Sequence, residues 1–66
     1  MKKEIRVRTS NGWKTYKINQ SSSTYYCYRV GGWNDTKIGE TRSMDDAISL
    51  IRNDARQFGE VREVKM

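Results

Sequence analysis

The chain of 66 residues has no histidine and only one cysteine, Cys27. Without histidine it lacks the side chain most often used as a general base near neutral pH. One thiol can form no intramolecular disulfide and cannot by itself assemble a zinc site. A lone thiol suits a reducing compartment, and the simplest role for Cys27 is that of a small apolar residue in a strand. No stretch approaches the ~20 apolar residues of a membrane span. Met1-Lys2-Lys3-Glu4 is not followed by the apolar run of a secretory signal. The expected location is cytoplasmic, with no membrane contact. Ser21-Ser22-Ser23 has no activating base nearby in sequence. Asp45 and Asp46, adjacent on a helix, point about 100° apart. A domain of this size is also expected to be too small to enclose a ligand pocket of about 300 Å³. Together these absences predict a protein that is not an enzyme, needs no cofactor or metal and takes no small-molecule substrate.

What the chain does have is charge. Thirteen Lys and Arg face eight Asp and Glu, a net +5. Residues 1–42 hold nine basic and three acidic side chains, and residues 43–66 hold four and five. A positive excess confined to the first two-thirds points to an anionic partner, either DNA or RNA or an acidic protein. So short a chain buries only about 60% of its unfolded surface. With no disulfide or metal available, it must rely on a well-packed core or on pairing with itself, so a homodimer is a further alternative.

Hydropathy patterning predicts the order β-β-β-β-α-β. Glu4-Ile5-Arg6-Val7-Arg8 alternates polar and apolar, the signature of a half-buried strand. Ser10-Asn11-Gly12 then marks a hairpin, because asparagine and glycine both tolerate positive φ. Trp13 to Ile18 reads as a second strand and residues 19–23 as a polar loop. Thr24 to Val30 is rich in aromatic and β-branched residues, as strands are. Gly31-Gly32-Trp33-Asn34-Asp35 is a turn, and Thr36 to Thr41 a shorter strand with Gly39 at a bulge. The period then changes. Ser43 is placed to cap a helix, Asp45 and Asp46 suit its positive end, and Met44, Ala47, Ile48, Ile51, Ala55 and Phe58 form one apolar stripe. Gly59 is placed to stop the helix at positive φ, and Val61 to Met66 reads as a closing strand. The expected fold is a single small α+β domain over residues 1–66. Its antiparallel sheet has four to five strands in the order 5-1-2-3-4, with one helix packed on one face.

One helix covers one face, so alternation assigns every strand residue to a side. The expected core face carries Ile5, Val7, Tyr16, Ile18, Tyr26, Tyr28, Val30, Ile38, Val64 and Met66. The expected open face carries Arg6, Arg8, Trp13, Thr15, Lys17, Tyr25, Cys27, Arg29, Lys37 and Thr41. Arginine and lysine supply phosphate contacts, and tryptophan and tyrosine supply platforms for bases. The same side chains also make an ordinary solvated sheet, with long cationic stems lying over aromatic rings. Trp33, at the tip of a glycine-flanked turn, either inserts into a partner or folds back over the core.

Tyr26, Tyr28, Arg29 and Val30, followed by Gly39, Thr41, Ser43, Asp46 and Ala47, form an aromatic strand, a short strand and a capped helix. The pattern is similar to that of three-stranded-sheet DNA-binding domains such as the AP2-like and integrase amino-terminal families. The resemblance covers less than half of the chain and is one of architecture. It implies a sheet lying in the major groove with its exposed side chains on the bases. The closing strand at Val61 to Met66 departs from it.

The resulting expectation is a non-catalytic nucleic-acid-binding module. Arg6, Arg8, Lys17, Arg29 and Lys37 neutralise phosphates, Trp13 and Tyr25 stack, and Trp33 stands at the margin. Charge reversal at Arg29 is expected to abolish binding while leaving the fold intact. The alternative is a protein-interaction module that uses the same face or a sheet edge.

Overall fold

The computed structural model describes residues 1–66. Five strands, β1 (Lys2–Thr9), β2 (Gly12–Ser21), β3 (Thr24–Arg29), β4 (Thr36–Thr41) and β5 (Val61–Lys65), form one sheet in the order β4-β3-β2-β1-β5. Every neighbouring pair is antiparallel. The single helix, α1 (Met44–Ala55), runs into a short 3-10 turn at Arg56–Phe58 and returns the chain to β5 beside β1. This is the expected α+β arrangement and strand order.

The helix forms where its caps and stripe require. The Ser43 side chain accepts from the Asp46 backbone N–H at 3.1 Å, and Asp45 and Asp46 occupy the positive first turn. Ala47, Ile51 and Ala55, spaced four apart, are fully buried. They meet Ile5 and Val7 of β1, Tyr16 and Ile18 of β2 and Cys27 of β3 in one core. Helix hydrogen bonding tightens after Ala55, and the chain turns at Gly59 with φ 145°. A Cβ there would stand 2.5 Å from the Ser10 Oγ. That approach exists because the β1–β2 turn docks on the end of the helix. Ser10 N–H donates to the Glu60 carbonyl, Glu60 N–H donates to Ser10 Oγ, and Asn11 Nδ2 donates to the Phe58 carbonyl at 2.7 Å.

Local details depart from the sequence reading. The first hairpin turns on Ser10 and Asn11, and only Gly12 takes positive φ. Thr9 Oγ1, buried, ties this turn by donating to the Gly12 carbonyl and accepting from Asn11 N–H. Strand β2 continues through the expected polar loop to Ser21, so the next turn is only Ser22 and Ser23, with Ser22 at φ 58°. Hydrogen bonding to β3 on one side and β1 on the other satisfies the backbone of these polar residues. Sheet pairing thus overrides their weak strand propensity. Met66, expected on the core face, lies beyond the end of β5 and is exposed.

The largest correction concerns β3, whose faces are the reverse of those expected. Tyr16 stands opposite Arg29, Ile18 opposite Cys27 and Lys17 opposite Tyr28. Tyr25, Cys27 and Arg29 therefore point toward the helix, and Tyr26 and Tyr28 point away from it. Thr41, paired with Tyr25, also moves to the helix side, and Val30 lies past the strand end and is exposed. The reason is space. Cys27 pairs with Gly39, and a Cβ on Gly39 would come within 2.8 Å of Leu50 Cδ2. The helix sits too close here for tyrosine rings, so the small residues of both strands lie beneath it. Burial raises the pKa of the Cys27 thiol, in keeping with a packing role. A bulge at Ile38, where β4 has one residue more than β3, lets Lys37 return to the open face.

Candidate nucleic-acid interface

The uncovered face of the sheet pairs aromatic rings with cations. Arg8 stands opposite Trp13, Arg6 opposite both Thr15 and Lys65, and Lys17 opposite both Glu4 and Tyr28. The Arg6 guanidinium lies 4.7 Å from the centre of the Trp13 ring, and the Lys65 ammonium lies 5.6 Å from it. Farther across, Lys17 lies 5.5 Å from the Tyr28 ring and Lys37 5.1 Å from the Tyr26 ring. Trp13, at 38% exposure, is accessible despite its two cations. Three rings and their cations thus form a band from β4 to β5.

Carboxylates temper this band. Arg8 pairs with Glu63 at 3.2 Å, Lys37 with Glu40 at 2.9 Å, and Lys17 with Asp35. The Lys17 ammonium bonded to Asp35 holds that carboxyl below its usual range, and the Glu40 partner raises Lys37. All three pairs lie at the surface, where solvent screens such bridges and they contribute little. A phosphate can therefore replace the carboxylates at little cost.

Of the expected site residues, Arg6, Arg8, Trp13, Lys17 and Lys37 share this face. Tyr25 and Arg29 do not. Arg29 reaches under the end of the helix, where its Nη1 donates to both carboxylate oxygens of Asp54 at 2.9 and 2.8 Å. Tyr16 O–H donates to Asp54 Oδ2 at 2.7 Å, and Gln57 Nε2 donates to Asp54 Oδ1. The Arg29 guanidinium also lies 5.2 Å from the Phe58 ring. This cluster ties the helix to β2 and β3, so charge reversal at Arg29 should disturb the fold and does not probe the open face. Tyr26 and Tyr28 take the places expected for Tyr25 and Arg29. Their signal in the sequence was masked because Tyr25 to Tyr28 is apolar in both phases of the alternation.

Tyr16 gives the cluster a pH signature. Burial first, and then the hydrogen bond to Asp54, push its phenol well above the ordinary 10.0. In the unfolded chain the phenol loses its proton near that value, whereas in the fold it keeps it. The contribution is therefore complete below pH 10 and lost as pH rises further. Cys27 and Lys37, both raised, act with the same sign. Urea unfolding at several pH values should show stability beginning to fall from about pH 9, where the Cys27 thiol of the unfolded chain ionises, and falling further above about pH 10 through Tyr16. The slope should be shallower in Tyr16→Phe, which retains only the other groups. An unchanged slope in that variant would remove Tyr16 as its source.

Trp33 is 98% exposed at the tip of the β3–β4 loop, so it does not cover the core. Both sheet edges are short. β4 carries its bulge and Lys37, and β5 has five residues including Arg62 and Lys65, features that discourage strand-to-strand association. On the helix side, Arg52, Arg56, Gly59, Glu60 and Val61 line an open groove of about 390 Å³. This exceeds the volume expected from chain length, but only one hydrophobic residue lines it and it encloses nothing. No group of three or more potential metal-ligating side chains forms a cluster, and no helix is long and apolar enough to cross a membrane. Comparison with protein-family models, curated proteins and solved structures returns no match. The geometry of the open face therefore carries the functional argument.

Proposed function

We propose that this domain is a non-catalytic nucleic-acid-binding module that uses the open face of its sheet. The observation that carries this reading is the placement of Trp13, Tyr26 and Tyr28 on one uncovered face, each with a lysine or arginine over its ring. An exposed cation–π pair is worth about 0.5–1 kcal/mol. A base stacked on an aromatic ring is worth about 1–3 kcal/mol. A base can therefore displace the cation, and the freed cation remains on the same face to meet a phosphate.

The test is fluorescence anisotropy with labelled DNA and RNA across a range of salt concentrations. With about four phosphates neutralised, the log–log salt slope should be near −3, a loss of roughly 60-fold between 50 and 200 mM salt. The variant Arg6→Glu/Lys65→Glu should reduce the slope by about two while remaining folded, because both side chains lie on the uncovered face. An absence of binding at low salt would reject the reading and turn the search to an acidic protein partner.

A further inference from the structure

We propose, building on the nucleic-acid reading, that the face takes single strands, with Tyr26 and Tyr28 receiving successive unstacked bases and Trp33 stacking on a base beyond Tyr28. The two tyrosines lie two residues apart on β3 and on the same face, so their rings repeat at about 6.6–7 Å. Successive bases within a duplex strand are ~3.4 Å apart along the axis. Each ring can take its own base only if the strand is opened out, and in a duplex the faces of the bases are already covered by their neighbours. The sheet thus selects by spacing as well as by charge.

Lys17, over the Tyr28 ring, leads to the Trp33 loop through Asp35.

That loop is shaped in advance. Asp35 Oδ1 accepts from Gly31 N–H at 3.3 Å while its other oxygen holds Lys17. A Cβ on Gly31 would overlap the Asn34 carbonyl oxygen, so the loop closes more tightly than any other residue allows. Asp35 thereby leashes the loop to the open face beside Tyr28. At its tip Trp33 touches almost nothing, so its ring gives the fold little and is free to stack. A pre-shaped loop loses less conformational freedom on binding than a flexible one.

The experiment uses Trp13→Phe, which leaves Trp33 as the only tryptophan. The protein is titrated at low salt with a pyrimidine 12-mer of DNA, the matching RNA and a blunt 12-base-pair duplex. Quenched Trp33 emission on the single strands, with at least tenfold weaker binding to the duplex, supports the proposal. In the otherwise unaltered chain, Trp33→Ala should weaken single-strand binding by about 5- to 100-fold and leave duplex binding unchanged. Duplex binding as tight as single-strand binding, or emission that does not move at saturation, overturns the inference while leaving the nucleic-acid reading in place. Failure to bind any of the three probes overturns both. The DNA and RNA arms show which sugar is preferred.

Discussion

Asp54→Ala should cost this small domain about 2–4 kcal/mol and lower its melting temperature by roughly 10–25 °C. Asp54 is the hub of the only side-chain network between the helix end and the middle of the sheet. It accepts from Tyr16, Arg29 and Gln57, and its side chain is only 14% exposed. Removing it leaves the Arg29 guanidinium, 28% exposed, without its counter-charge and Tyr16 O–H without an acceptor. The penalty comes mainly from stranding buried partners, and only secondarily from the bonds themselves. The triple variant Tyr16→Phe/Arg29→Met/Asp54→Leu should therefore recover most of the loss, because it strands no polar group. Arg29→Glu should be worse than Asp54→Ala, since it sets two carboxylates against each other. Thermal melts of these variants decide the matter, and a loss below about 0.5 kcal/mol in Asp54→Ala would remove the network as the fastening between helix and sheet.

The double variant Tyr26→Ala/Tyr28→Ala should lower nucleic-acid affinity by at least 30-fold, from about 1–3 kcal/mol for each lost stacking platform. Its stability should change far less than in the Asp54 variants, because both rings lie on the uncovered face and outside the buried core. The comparison separates binding from folding within one strand. Tyr25, the adjacent ring, packs against the core from the helix side, so Tyr25→Ala should destabilise the protein with little direct effect on affinity. If Tyr26→Ala/Tyr28→Ala binds as tightly as the unaltered chain, the rings are not the platform. Phosphate contacts alone would then account for any binding.

The contrast between Tyr25 and Tyr26 also shows where local pattern stops being informative. In β1 the alternation of Ile5 and Val7 with Arg6 and Arg8 leaves one choice of face, and the structure adopts it. In β3, Tyr25-Tyr26-Cys27-Tyr28 is compatible with either face. Hydrophobicity favours burying the tyrosines, but the helix comes too near. Only the opposition of Cys27 to Gly39, and of Gly39 to Leu50, shows how little room is left. The same limit applies to the Ser10–Glu60 docking and to the length of β2, both set by partners distant in the chain.

From its order of residues alone, this chain has an α+β fold whose β-β-β-β-α-β elements form an antiparallel sheet with a helix on one side. Capping at Ser43, the apolar stripe of the helix and the alternation of β1 determine that much, because they act over a few residues and require no distant partner. Tertiary structure alone decides which side of β3 lies on the uncovered face, that Arg29 belongs to the fold and not to the surface, and that Trp33 projects from a braced loop. These outcomes depend on the clearance beneath the helix and on charges paired across long separations. Neither quantity exists until the elements have packed.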